Sequence, residues 1–279
     1  LKRGSHRFSA AFTNDFYDAA KKEDRNLYVQ SLSVIGPLEI DAADLPAAQQ
    51  MLVKHKPDAK TSTNFAVREN LRPFLRKAFR RPVRDSELDA YVKLVEGILA
   101  EGQPFEYAMQ QAVAAVLVSP HFLFRVENDR SPDDPQDRHA LTDHELAVRL
   151  SYFLWSTMPD DELSALADKG ELNESGTLVA QVQRMLLDPK ASALVDNFAE
   201  QWLQLRILDE ITPDPAIFPE YRPELRDDLK RETKALFEHV MREDLPLREF
   251  LTARYTFVNE RLAKHYGYPN VTGPEFRKV

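Results

Sequence analysis

The sequence predicts a mainly α-helical protein: an irregular multi-helix body in two regions that pack together, preceded by a short N-terminal β-hairpin. Three observations carry this prediction. From Phe65 onward, apolar residues return with the period of a helix that buries one face. Upstream, Phe8, Ala10 and Phe12 fall at every second position, with Ser9 and Thr13 on the other face, the period of a half-buried strand. Between the helical stretches, Asp129 to Arg138 (DRSPDDPQDR) contains proline and charge but no apolar residue, the composition of a linker.

In chain order, the first strand is expected around Phe8–Phe12. The second begins at Leu27 and Val29, and a bulge shifts its apolar phase to Leu32 and Val34. Gly36-Pro37 ends it. Two strands alone are marginal in water, so partner strands are expected upstream of Leu1 and the chain is read as a piece of a longer polypeptide. Residues 37–64 form a connector with a short helix around Ala47–Lys54. The first helical domain, 65–128, holds helices at Phe65–Arg81, stopped by Pro82, and at Ser86–Ala100. It also holds a nearly all-apolar helix, Phe105–Val118, expected to be central and buried all round. After the 129–140 linker comes the second domain, 141–279, read as cut short at its C-terminus. Thr142 and Glu145 make a capping box there, with Leu141 and Leu146 as its staple. Pro159, Asp160 and Asp161 open a further helix, since proline and acids suit a first turn. Later helices are expected at 178–187, 191–205, 222–243, 247–254 and 257–266, the last capped by Gly267.

Composition narrows the function classes. With 37 basic against 45 acidic residues the chain is acidic, which argues against nucleic acid as a partner. Cysteine is absent, so no disulfide, thiolate metal site, cysteine nucleophile or covalently attached c-type haem is expected within it. No apolar run approaches the roughly 18 residues of a membrane span. Neither a GxSxG elbow nor a phosphate-binding glycine loop occurs.

Several groups invite a chemical reading. Asn14, Asp15, Asp18, Glu23, Asp24 and Asn26 crowd the expected hairpin loop, and calcium takes about six to eight such hard oxygens. The alternative is an ordinary solvated turn, which Asn and Asp favour for backbone reasons. Arg68, Arg72, Arg76 and Arg80 recur every four residues and share one helix face. That face is read either as an anion-binding surface or as a basic stripe paired with carboxylates, including those of the acidic second region. No histidine pair has metal-ligand spacing. Asp160, Asp161 and Glu162 form a compact carboxylate triplet, explained equally well as a helix start. Trp155, Trp202, Phe153 and Phe198 lie on apolar helix faces and read as core, with a sugar platform as the lesser option.

Three stretches carry a resemblance. FTNDFYDAAKKEDRNLYVQSLSVIGP resembles the C-terminal end of a calcium-dependent, xylan-binding type of carbohydrate-binding module, which makes residues 1–36 the hairpin left from a β-sandwich. LRPFLRKAFRRPVRDSEL with VLVSPHFLFRVE resembles a planctomycete-type family of unknown function. LTDHELAVRLSYFLWSTMPDDEL, DNFAEQWLQL and YTFVNERLAKHYG resemble the partner family that comes after it. The resemblance implies a large extracytoplasmic protein (periplasm or cell surface), with c-type cytochrome redox modules elsewhere in the parent chain and a xylan-like polysaccharide as partner. It implies Ca2+ at Asn14, Asp15, Asp24 and Asn26, and supplies no catalytic residue.

The function expected is a non-catalytic helical scaffold of a polysaccharide-associated protein. The alternatives are an oxidative or hydrolytic enzyme domain acting on that polysaccharide, and a structural cell-surface interaction protein. An enzyme predicts a cleft where several of His121, His144, Arg149, Asp160 and His265 converge. A scaffold predicts helix-face polar residues on the surface and no deep polar pocket.

Overall fold

The computed structural model describes residues 7, 9, 11, 13, 16–25, 28–31, 45–127, 131–134, 136 and 138–279. It divides into two compact units, Leu1–Met51 and Leu52–Val279. The fold is mainly helical, with two short two-stranded sheets.

In the first unit, β1 (Phe16–Asp18) pairs antiparallel with β2 (Glu23–Arg25), Phe16 opposite Arg25 and Tyr17 opposite Asp24. This ribbon occupies the stretch expected to be the ligand loop. Its turn explains why: Asp18 Oδ1 accepts from the N–H groups of Ala20 and Lys21 at 3.0 and 3.2 Å, and Lys22 takes a left-handed φ of 54°. An aspartate that bonds the backbone just after it nucleates a reversal locally. Of the strands expected on either side, Phe8, Ala10, Phe12, Leu27, Leu32 and Val34 lie outside the described residues, and Tyr28–Ser31 is irregular and exposed. Helix α1 (Ala47–Leu52) comes next, with no buried residue.

The second unit begins with four helices. Ser62 caps α2 (Thr63–Phe79), its Oγ accepting from the Phe65 N–H. Then come α3 (Asp85–Ala100), α4 (Phe105–Leu117) and the single turn α5 (Pro120–Leu123), capped by Ser119. Their shared core includes Val67, Leu71, Leu75, Leu88, Val95, Met109 and Val116. Helix α4 is not buried all round as its composition predicts: only Ala108, Met109, Ala112 and Val116 are buried, and Val118 just beyond it is 70 % exposed. Its main packing partners are α2, α3 and α5.

The next helices are α6 (Asp143–Trp155), α7 (Asp161–Lys169) and α8 (Ser175–Leu187). The Thr142–Glu145 capping box forms as expected, and Asp160 caps α7 by accepting from the Leu163 N–H at 2.9 Å. Their core gathers Ala147, Leu154, Trp155, Leu163, Leu172 and Met185. A continuous helical run comes after them: α9 (Ser192–Leu194), a π-helical turn (Val195–Ala199) and α10 (Glu200–Trp202). Helix α11 (Pro223–Arg242) lies across it, burying Phe237 with Val195 and Ala199. The short α12 (Glu249–Thr252) leads into β3 (Phe257–Val258), which pairs with β4 (Arg277–Lys278). The helix expected from Phe257 starts later, as α13 (Glu260–Tyr266), because Asn259 is its cap and accepts from the Leu262 N–H at 2.9 Å. Gly267, at a φ of 79°, closes it as expected; any side chain there would meet the left-handed penalty.

Candidate functional site

The three four-spaced arginines within α2 are held by carboxylates. Arg68 bonds Asp89, Arg72 reaches Asp85 at 2.6 Å, and Arg76 reaches Asp168 of α7 at 2.5 Å. The first two contacts fasten α2 to α3. The third ties the first group of helices to the second, the pairing with the acidic region that the sequence offered as an alternative. At these three positions the basic stripe is paired with carboxylates, the second of the two readings that the sequence offered.

Arg80 differs from the other three. It sits at the C-cap of α2 with a left-handed φ of 58°, a conformation that costs a non-glycine residue about 1–2 kcal/mol. That backbone swings its guanidinium away from the α2 stripe. Nη2 donates to the carbonyls of His121, Phe122 and Phe124 at 2.8, 3.1 and 2.9 Å, and Nη1 donates to the Tyr152 hydroxyl at 3.1 Å. One cation thus satisfies the open carbonyl end of α5 and reaches α6.

Around this clasp lies a cleft of about 520 Å³ between α5, with the strap after it, and α6. It brings together three of the five residues of which an enzyme reading expects several to converge: His121, His144 and Arg149. Each is already engaged. The His121 ring packs on Phe79 with centroids 5.1 Å apart and lies 3.9 Å from Glu87. His144 Nε2 sits 3.0 Å from Asp168, and Arg149 grips Glu127 through two contacts at 3.0 and 2.5 Å. The other two are elsewhere: Asp160 caps α7 and takes Arg184 at 2.7 Å, while His265 pairs with Glu220 at 3.1 Å. Asp160, with Asp161 and Glu162, therefore opens a helix and shows no separation across a cleft. Arg184 holds the Asp160 carboxyl below its ordinary value even though burial pushes the other way.

Beside the cleft, Arg81 holds Glu87 in a two-point contact at 2.7 and 3.0 Å, and the Arg84 N–H adds a third bond at 2.9 Å. The Glu87 side chain is 13 % exposed. Arg81 first, and the Arg84 N–H after it, lower its pKa from 4.5 to about 2 despite the opposing effect of burial. A carboxylate depressed on folding contributes stability that is complete above its unfolded pKa and disappears as pH falls through the folded one. Acid titration of the protein should therefore show a loss on the order of 2–3 kcal/mol between those two values. Glu87→Gln should flatten that segment of the stability–pH curve; an unchanged slope would show that Glu87 is not its source.

The structure also shows groups that no sequence pattern marks. Arg125 and Arg80 both place guanidinium carbons over the Tyr152 ring, at 4.8 and 5.5 Å from its centroid. Phe153, at the cleft edge, contacts Phe198, which stacks on Trp202 with a 5.8 Å centroid separation and a 24° angle. Phe153, Phe198 and Trp202 are 57, 44 and 57 % exposed, so the expectation of core holds for Trp155 and is corrected for these three. The π-helical turn is one cause. Its extra residue rotates the downstream side chains by about 100°, moving Trp202 off the face that a regular helix would bury. For Arg125 the cue in the sequence is the aromatic-basic composition of HFLFRVE, whereas Phe153, Phe198 and Trp202 are residues for which a sugar platform is the lesser reading.

For the N-terminal calcium reading, Asn14, Asp15 and Asn26 lie outside the described residues, and Asp24 stands exposed in β2. Among the described residues no group of three or more His, Cys, Asp or Glu is placed to hold a metal ion. No described helix is long and apolar enough to cross a membrane.

The cleft walls come from two separate stretches of chain, one ending at Glu127 and one starting at His144. Each stretch matches its own family. Residues 66–127 match PSD5, a protein of unknown function (DUF1595), and residues 141–268 match PSD4, a protein of unknown function (DUF1592). The two consecutive matches agree with the pair of helical families that the sequence resembles. No curated protein and no solved structure matches the chain. The PSD5 segment thus supplies Arg80, His121 and Arg125, the PSD4 segment supplies His144, Arg149 and Tyr152, and the cleft is their seam.

Proposed function

We propose that the PSD5 and PSD4 segments form a non-catalytic helical scaffold within an extracytoplasmic, polysaccharide-associated protein whose redox modules lie elsewhere in the polypeptide. The observation that carries the scaffold is Asp168. From α7 it accepts Arg76 of α2 and contacts His144 of α6, so one carboxylate locks three helices across the seam. Arg76 and His144 lower its pKa against the effect of burial. Ionisable groups bound in this way hold helices in a fixed relation, and Arg80 does the same for α5 and α6. The polysaccharide, redox and extracytoplasmic parts of the reading rest on the resemblance of the quoted stretches.

The enzyme alternative has one observation in its favour, the His144–Asp168 pair, which has the geometry of a base with its orienting carboxylate. Asp168, however, also carries Arg76, which disperses the charge that would raise the basicity of the imidazole.

Two measurements test the scaffold. Thermal unfolding of the whole chain followed by far-UV circular dichroism and by tryptophan fluorescence should give coincident transitions for residues 52–279, because both tryptophans report the PSD4 segment while the helical signal reports both segments. Incubation with xylan and acidic polysaccharides should generate neither new reducing ends nor oxidised sugars. Separate transitions would overturn the rigid scaffold, and turnover that disappears in His144→Ala would establish the enzyme.

A further inference from the structure

We infer that the seam cleft and the aromatic strip beside it form a binding site for a sparsely charged acidic glycan, with Arg125 receiving a carboxylate and Phe153, Phe198 and Trp202 receiving sugar-ring faces. This rests on the polysaccharide-associated reading above and gives the helical body its own ligand class.

Charge at the cleft is uneven. Four arginines line it, Arg80, Arg81, Arg125 and Arg149, against Glu127 and Glu145. Three of the four are committed: Arg80 to backbone carbonyls and Tyr152, Arg81 to Glu87, and Arg149 to Glu127. Arg125 is exposed, its guanidinium carbon lies 4.8 Å from the Tyr152 ring centroid, and no ion pair to a carboxylate holds it among the described residues. A cation–π contact of that kind uses none of the N–H fork, and a guanidinium fork suits a two-point carboxylate contact. Tyr152 is itself held by Arg80, so both helix groups take part in that contact.

The surroundings suit a ring better than a bare anion. A cleft of about 520 Å³ falls in the ordinary range for small organic ligands. Its rim carries Phe124, 63 % exposed, and Phe153, from which exposed rings continue through Phe198 to Trp202. Inorganic phosphate would leave those rings unused. A single-stranded nucleic acid would use them, but it carries a phosphate at every nucleotide and needs a row of uncommitted cations. Here the row that exists, on α2, is neutralised by Asp85, Asp89 and Asp168, and the chain carries a formal charge of -8. One available guanidinium beside an aromatic strip fits a polymer with widely spaced carboxylates.

Calorimetric titration of the whole chain with four probes tests this: a xylotriose bearing a single glucuronate, its methyl ester, xylotetraose and a 12-mer of deoxythymidylate. The singly charged acid should bind, and the ester and xylotetraose should bind at least about tenfold more weakly, a loss typical of one charge-assisted contact. Arg125→Gln should weaken the acid by a similar factor and leave the ester unchanged. Trp202→Ala, at an exposed position, should weaken acid and ester alike. Equal affinity for acid and ester, an Arg125→Gln variant that binds normally, no binding by any sugar, or tighter binding of the 12-mer would each overturn the proposal. Failure here with coincident unfolding transitions removes the glycan site and leaves the scaffold; split transitions with intact binding do the reverse.

Discussion

Replacing Trp155 with alanine is expected to destabilise the PSD4 segment by about 3–5 kcal/mol, the range for deleting a large aromatic from a packed core. The ring is 3 % exposed, between Leu154 and Met185. Its Nε1–H donates to the Met185 carbonyl at 2.9 Å, so removal opens a cavity and also strands an acceptor inside α8. Lys190 and Arg184 place their charges 4.6 and 5.5 Å from its centroid and lose that contact as well. In a body of this size the loss corresponds to a fall in Tm of about 10 °C. Trp155→Phe separates the two contributions: it keeps most of the packing, loses the hydrogen bond, and should cost about 1–2 kcal/mol. Urea denaturation followed by circular dichroism measures both. An alanine variant within about 1 kcal/mol of the parent protein would show that the α6–α8 core is not packed as described.

Arg80→Ala is expected to cost about 2–4 kcal/mol, because a single guanidinium serves three carbonyls and a hydroxyl. Without it the end of α5 and the strap through Phe124 lose their attachment to α2, and the cleft loses one wall. Hydrogen exchange should therefore accelerate at 120–127 more than elsewhere. The backbone makes a second variant informative. At a φ of 58° alanine bears a left-handed penalty that glycine does not, so Arg80→Gly should be about 1 kcal/mol more stable than Arg80→Ala while lacking the same clasp. Equal stability of the two would show that the α2 end relaxes once the side chain is gone. Arg80→Lys should rescue only part of the loss: an ammonium has donors for the three carbonyls that Nη2 serves but no second nitrogen for the Tyr152 hydroxyl.

The arginine pair 76 and 80 illustrates what periodicity can and cannot show. Both residues lie on the same four-residue repeat, and both read as one basic face. The repeat is correct as far as Arg76, and then the chain turns left-handed ahead of Pro82, sending Arg80 to a different set of partners. Helix spacing predicts which side chains share a face. It contains no information about the residue at the far end of an ion pair, such as Asp168, which lies 92 positions away. His121, His144 and Arg149 meet for the same reason: the seam closes, and nothing local to any of them announces it. Trp202 and Phe198 show a further limit: a π-helical turn, Val195–Ala199, contains Phe198 and precedes Trp202, and nothing in the apolar pattern of the sequence announces it.

The sequence by itself determined those helix ends that a local cap marks, because such signals act over a single turn. Thr142 with Glu145, Asp160 after Pro159, and Gly267 after Tyr266 each satisfy or terminate backbone groups within four residues. It also determined that the protein is mainly helical, since that depends on period alone. The tertiary structure decided which charged groups remained available for a ligand. Pairing of Arg68, Arg72, Arg76, Arg81 and Arg149 with carboxylates on other elements, or beyond local helix spacing, left Arg125 standing over Tyr152. Availability is a property of what surrounds a side chain, and it comes into existence only when distant segments pack.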